Sequence, residues 1–338
     1  TLEKFTVLTK IAANAFEVCA SLKKVKLVYS GTSTFNVFAS AFKNCSGLTE
    51  VTFDGNIKVS GSNVFAGCEK LQRIAQANAD KAKYIVIDEK GFLYIKSESA
   101  TKKTTTYTLH YVPAGYTVEN GVLDLTSYAY TKDAATEGWT DIYTVYANAF
   151  ANCAGIKKII LPDSITSITA SMFAGFTDLE EVVLSAATTS IGDNAFENIG
   201  LKKITYKGYE GTDTFALPET LTTIGEYAFK GTKLENVVLS TAAVSVGTSA
   251  FAESTVKTVT VNGENVSFGT SAFADCAYLT TFTFNAATGK LGTSMFANCV
   301  VLNSVTLPSG ITTLGEKLFE GCLKLATVEI PETVTTMF

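Results

Sequence analysis

One phrase recurs along the chain, and its spacing limits the fold more than any other feature. It reads IAANAFEVCASLKKVKL at Ile11–Leu27, VYANAFANCAGIKKIIL at Val145–Leu161 and LGEKLFEGCLKLATVEI at Leu314–Ile330. An apolar residue is followed five positions later by Phe, then after three residues by Cys or a substitute, then by Leu or Ile opening an apolar-x-apolar segment. The Phe recurs as Phe16, Phe42, Phe65, Phe150, Phe173, Phe196, Phe229, Phe251, Phe273, Phe296 and Phe319, with Tyr130 as a twelfth copy, and the later spacings are mostly 22 or 23 residues. A period in that range with Leu-led strands predicts a stack of repeats. Each unit is too short to offset its own ordering entropy, so it must bury its apolar face against its neighbours. Repeat stacks usually bind through an extended surface, whereas catalysis needs residues that converge at one point.

At 338 residues the chain would ordinarily suggest two domains, but a repeat stack escapes that count. The expected organisation is a single solenoid over 1–338, with repeats at 1–72, an insert plus degenerate repeat at 73–144, and repeats again at 145–338. An apolar content of 46% excludes a disordered chain, and no apolar stretch is long enough to span a membrane. Acids and bases are interleaved at a net charge of −5, which argues against nucleic-acid binding through a basic face. Thr1 opens inside a repeat without a signal peptide or initiator Met, so the chain reads as a processed or excised piece.

Within each unit LxxVxL reads as a short strand, as at Leu22-Val25-Leu27, Leu179-Val182-Leu184 and Leu302-Val305-Leu307. Pro162, Pro308 and Pro331 mark strand ends. On the return leg an Ile/Val/Leu-Gly pair precedes the Phe, as at Ile224-Gly225, where Gly suits positive φ or close backbone approach. The Ala-Phe step then reads as a short helical or 3₁₀ turn. The fold expected is an α/β-type repeat solenoid, right-handed, with a parallel β-sheet on its concave face and short strands or 3₁₀ turns on the return leg. Two places break the period. The loop Tyr206–Phe215 lengthens one repeat, and the insert carries Tyr84–Ile87 and Phe92–Ile95 joined through Asp88-Glu89-Lys90-Gly91, a β-hairpin pattern.

All seven cysteines lie three residues after a repeat Phe, at Cys19, Cys45, Cys68, Cys153, Cys276, Cys299 and Cys322. Other repeats place Phe176, Ile199, Thr232 and Ser254 there. A position open to those residues is a packing site, so buried free thiols are expected, with no disulfide and no metal. Catalytic constellations are thin. His110 is the only histidine and reads as a surface or structural residue. Ser21-Leu22-Lys23-Lys24 spells SxxK, but Leu22 is a strand-leading repeat Leu; Gly289-Lys290 lacks the rest of a phosphate loop. No cofactor is implied, and no enzymatic role is expected.

The phrase Ile-Gly-x-x-Ala-Phe-x-x-Cys-x-x-Leu-x-x-Val-x-Leu-Pro resembles the BspA-like, spirochaete-type leucine-rich repeat, with Gly225–Leu239 and Gly315–Pro331 close to its pattern. The insert with Gly91-Phe92-Leu93-Tyr94 and Tyr111-Val112-Pro113-Ala114-Gly115 is also similar to one found in such proteins. The resemblance implies a curved leucine-rich-repeat solenoid on a secreted or surface-anchored protein, mostly of host-associated bacteria. It also implies adhesion to host extracellular matrix or other cells, and it brings no catalytic residues. The favoured expectation is a non-enzymatic extracellular module recognising a protein or glycan partner; the alternative is a structural spacer displaying another domain.

The candidate partner surface is the outward strand face from Lys158 to Thr283, comprising Lys158, Glu181, Val183, Lys203, Thr205, Asn236, Val238, Thr258, Thr260, Thr281 and Thr283. Tyr206, Tyr209 and Phe215 in the bulged loop are its expected aromatic anchors, with Trp139 and Tyr143 near the insert. The uncharged Thr ladder also suits an ordinary exposed strand surface.

Overall fold

The computed structural model describes residues 2–5, 7–78, 83–126, 140–150, 153–239 and 244–338. Tyr130 and Trp139 lie outside the described residues, as does most of the degenerate repeat around them. The chain falls into two compact units, one of residues 1–121 and 127–156, the other of 122–126 and 157–338.

In the first unit the LxxVxL segments form strands Leu2–Phe5, Lys24–Tyr29, Glu50–Asp54 and Arg73–Gln76, paired in that order. The pairing is parallel, with Lys24, Glu50 and Arg73 in register. Alternation buries Val25, Leu27, Val51 and Phe53 and leaves their neighbours outward. The return leg gives a second parallel sheet of Lys10–Ile11, Phe35–Phe38 and Ile57–Ser60. The insert adds the expected hairpin, with Ile85–Ile87 antiparallel to Leu93–Ser99. Its turn is fastened by Asp88, whose carboxylate accepts from the backbone N–H of Lys90 (3.0 Å) and Phe92 (2.8 Å). Thr104–Tyr111 then pairs antiparallel with Leu93–Ser99 and parallel with Thr140–Val145, so strand structure runs through much of the polar stretch after the hairpin. The insert joins the repeats through Tyr111, whose hydroxyl donates to Leu71 O (3.1 Å) and whose ring meets Phe65 edge-on.

The second unit holds the strands Val122–Asp124, Lys158–Ile160, Glu181–Leu184 and Lys203–Tyr206 in one parallel sheet. A separate parallel sheet holds Asn236–Leu239, Thr258–Val261, Thr281–Phe284 and Ser304–Thr306. Its return leg forms a six-stranded ladder of very short strands from Ser167–Ile168 to Gly289–Lys290. The final phrase at Leu325-Val328-Ile330 forms no strand.

The α/β description does not hold. Among the described residues the single helical element is a 3₁₀ turn at Glu119–Gly121, and everything else regular is strand. The reason lies on either side of each repeat Phe. Two residues before it the backbone is left-handed at Asn14, Ser40, Asn63, Asn148, Ser171, Asn194, Tyr227, Ser249, Ser271, Ser294 and Lys317. Two residues after it the same holds at Val18, Asn44, Gly67, Gly175, Asn198, Gly231, Glu253, Asp275, Asn298 and Gly321. A left-handed residue every four positions forbids a helix. Backbone N–H groups instead alternate. In one coil Glu17 and Cys19 donate within the turn, to Asn14 O and Phe16 O. Asn14, Phe16 and Val18 donate to the next coil, at Ala39 O, Ala41 O and Lys43 O. Half of each turn's donors are thereby spent on stacking.

The Phe rings follow this register. Within the second unit Phe173, Phe196, Phe229, Phe251 and Phe273 stack face to face at centroid distances of 5.0–5.2 Å. Phe296 and Phe319 continue the stack at 6.4 and 5.6 Å. The members at the two extremes, Phe16 and Phe319, are half-buried, each being covered from one side in its own unit. The Gly four residues before the Phe serves close approach rather than positive φ: a Cβ at Gly292 would lie 1.9 Å from Gly269 O, and one at Gly225 would lie 2.6 Å from Asp193 N.

All seven cysteines are free, but they are not equally buried. Cys45, Cys68, Cys153, Cys276 and Cys299 are buried, Cys322 is half-buried and Cys19 is exposed, in the outermost coil that carries the phrase. The thiol of Cys45 donates to Phe16 O (3.0 Å), that of Cys68 to Phe42 O (3.0 Å) and that of Cys299 to Phe273 O (3.1 Å), in each case one coil back. Cys therefore packs as a small hydrophobe with a weak donor in the right place. Burial pushes the thiols of Cys68 and Cys153 up to about 12 and that of Cys276 to about 11.

Candidate functional site

The outward strand positions divide into two surfaces of different character. On the first sheet of the second unit, Lys158, Glu181 and Lys203 stand opposite one another on successive strands. The Glu181 carboxylate takes both lysines, at 2.8 Å from Lys158 and 3.5 Å from Lys203. The row beside it repeats the pattern, with Glu180 between Lys202 (3.0 Å) and Lys157 (3.7 Å). The hydrogen bond from Lys202 holds the Glu180 carboxyl below the usual carboxylate range. The first unit uses the same device, Glu50 sitting between Lys24 (3.0 Å) and Arg73 (2.7 Å). Each of these carboxylates is shared by two cations, so the rows are tied together by ion pairs and each keeps one positive charge in excess.

On the second sheet the ladders are Asn236, Thr258, Thr281, Ser304 and Val238, Thr260, Thr283, Thr306. The Thr258 hydroxyl donates to Asn236 Oδ1 (2.7 Å). Val238, Thr258, Thr260, Thr281 and Thr283 are half-buried and Asn236 is exposed, so this uncharged face is open.

The expected continuous surface is interrupted where the bulged loop returns. Ile204 donates its N–H to Thr214 O (2.8 Å) and accepts from Ala216 N–H (2.9 Å), so residues 214–216 lie along the edge of Lys203–Tyr206 and end that sheet. Two members of the candidate surface are corrected by this arrangement. Thr205, facing outward by alternation, is 7% exposed beside the returning segment. Phe215 is 1% exposed; its ring lies edge-on to Phe229 and Phe251 at 5.8 and 6.0 Å and belongs to the core. Tyr206 and Tyr209 remain half-buried in the loop with centroids 5.4 Å apart, and the Tyr209 hydroxyl donates to the Asp213 carboxylate. Val183 stays half-buried on the first sheet. Tyr143, in the first unit, stacks on Tyr107 at 5.3 Å and serves packing there.

Beside the interruption the second unit has a cavity of about 520 Å³, lined by Lys202, Thr214, Lys233, Glu235, Asn236, Thr255, Lys257 and Tyr278. Of these only Asn236 is a candidate read from the sequence. Tyr278 is 58% exposed, immediately before the strand-leading Leu279. Equivalent positions hold Gly200, Lys233 and Thr255, so a large aromatic at a non-core position of the repeat was the available signal.

His110 lies in the first unit, away from this surface in sequence. Its ring packs on Tyr146 at 4.2 Å, and burial lowers its pKa to about 4. Among the described residues no group of three or more His, Cys, Asp or Glu side chains is placed to hold a metal ion. Among them, too, no helix is long and apolar enough to cross a membrane.

The BspA-type leucine-rich repeat region matches the chain in six copies over residues 2–107, 138–213 and 205–326. Curated proteins give no match. Among solved structures, the chain is similar to a leucine-rich repeat protein from Bacteroides ovatus, at 19% identity and a TM-score of 0.57 over 97% of this chain and 76% of that one. It is also similar to one from Eubacterium ventriosum, at 18% identity and a TM-score of 0.43 over 97% and 78%, respectively. A leucine rich cell surface protein from Faecalibacterium prausnitzii matches at 20% identity and a TM-score of 0.39, over 93% of this chain and 77% of that one. Phased repeats over most of the length, a family match across the same residues and a shared parallel β-solenoid agree: this chain belongs to the BspA-type leucine-rich repeat family.

Proposed function

We propose that this chain is a non-enzymatic binding module acting outside the cell, and that it recognises a protein or glycan partner through the second unit. The observation that carries this reading is the open face of Asn236–Leu239, Thr258–Val261 and Thr281–Phe284. It is laddered, hydroxyl-rich and uncharged, whereas the neighbouring sheet carries charged, ion-paired Lys-Glu-Lys rows. An uncharged face with Thr hydroxyls and the Val238 side chain costs little to desolvate, which suits a docking surface. The family membership is compatible with such a role.

The test is an array of extracellular-matrix proteins and glycans probed with the whole chain and with the double variant Val238→Glu, Thr283→Lys. Both positions point outward, so the variant should keep its melting temperature. Loss of a partner by the variant supports the reading. Unchanged binding removes this face from consideration, and the absence of any partner favours a spacer that displays another domain.

A further inference from the structure

The coil-to-coil register of the second unit is broken where the bulged loop returns, and the residues at the break line the cavity. Ahead of most of the longer strands, two successive backbone N–H groups donate to one carbonyl of the preceding coil. Glu180 and Glu181 donate to Lys157 O, Lys202 and Lys203 to Glu180 O, Lys257 and Thr258 to Glu235 O, Thr280 and Thr281 to Lys257 O. The corresponding bonds from Glu235 and Asn236 to Lys202 O are not made among the described residues. The returning segment at Thr214 occupies the edge of the earlier sheet instead. Glu235 and Asn236, which line the cavity together with Lys202, are thereby left without these backbone bonds. Both residues are exposed, so their backbone donors are open to water or to a ligand.

The rest of the lining is chosen on charge and shape. Three lysines, Lys202, Lys233 and Lys257, stand against one carboxylate, Glu235, in a chain whose net charge is −5. Lys257 is paired with Glu235 at 2.8 Å and Lys202 with Glu180 at 3.0 Å. Lys233 has no carboxylate within ion-pair distance among the described residues, so the cavity keeps a positive charge in excess. Opposite charge is attracted there. Tyr278 presents an exposed ring at the same cavity. Paired N–H groups match the two oxygens of a carboxylate, an ammonium adds a charge-assisted bond, and an aromatic face suits the apolar side of a pyranose ring.

We propose that this cavity is a binding site for a carboxylate-bearing sugar residue, a uronate or a sialate, of an acidic glycan. The Glu235 and Asn236 N–H groups and Lys233 receive the carboxylate, and the sugar ring lies on Tyr278. The proposal rests on the reading of the chain as a binding module and narrows it to one ligand class at one place.

The test is titration calorimetry of the whole chain with sialyllactose against lactose, and with a hyaluronan oligosaccharide against its carboxyl-reduced form. It is repeated for Lys233→Glu and Tyr278→Ala; both side chains are exposed, and their melting temperatures serve as the folding control. The expected result is binding of at least one acidic sugar, with the neutral counterpart and both variants weaker by about tenfold or more. Equal affinity for acidic and neutral forms, or variants that bind as well as the parent, would overturn the assignment, as would no binding of either acidic sugar. An array partner that is lost in Val238→Glu, Thr283→Lys but retained in Lys233→Glu and Tyr278→Ala would overturn the cavity alone and leave the binding-module reading standing.

Discussion

Val18 shows how much backbone geometry each residue of the repeat must accept. It occupies the left-handed position two residues after Phe16, at φ 63°, where other coils place Asn44, Gly67 or Asn198. A β-branched side chain is poorly suited to that region, and Val18 is 64% exposed, so its packing offsets little of the cost. Val18→Gly should therefore raise stability by about 1 kcal/mol, measured by urea denaturation. The thiols test burial residue by residue. Cys19 should react rapidly with a water-soluble thiol reagent, Cys322 more slowly, and the five buried cysteines only on unfolding. Their raised pKa values leave almost no thiolate at neutral pH. Rapid modification of Cys276 or Cys299 in the native state would contradict the coil register.

At the scale of elements, the strands and the hairpin were readable from the sequence because alternation and turn chemistry are local. Leu22, Val25 and Leu27, or Asp88 with Gly91, announce themselves within a few residues. The turn around each Phe was misread because its Ala-Phe step looks helical. The signal lay in Asn, Ser and Gly recurring two positions either side of Phe, where only a left-handed backbone explains them. Thr205 and Phe215 were misassigned for a non-local reason: the segment that covers one and buries the other returns from a loop whose path no periodicity encodes. The cavity and Tyr278 escaped for the same cause. The insert strand Thr104–Tyr111 carries a pH dependence of its own. Burial holds the His110 imidazole at about 4, below its unfolded value near 6.5, so the folded state favours the neutral ring. The stability this gives is complete above about pH 6.5 and is lost as pH falls toward about 4. Urea midpoints should fall across that window, by an amount equivalent to at most about 3 kcal/mol. His110→Gln should flatten the upper part of the window, between about pH 6.5 and 5, before the paired carboxylates Glu50 and Glu180 begin to protonate.

At the scale of the whole molecule, repetition made the fold readable while concealing the site. Variations on one phrase specify coils, core and register among the described residues, because neighbouring copies must meet the same partners. The proposed recognition lies where the copies differ: the Lys-Glu-Lys rows of one sheet, the Thr ladders of the next, and the loop that separates them. Three outward aliphatic residues sample these surfaces, Ile160 and Val183 on the charged sheet and Val238 on the uncharged one. Methyl-resolved NMR of the whole chain, recorded while a partner from the array is titrated in, reads all three at once. Shifts at Val238 with Ile160 and Val183 unmoved are the expected result. Shifts confined to Ile160 and Val183, with Val238 unmoved, would contradict recognition through the uncharged face.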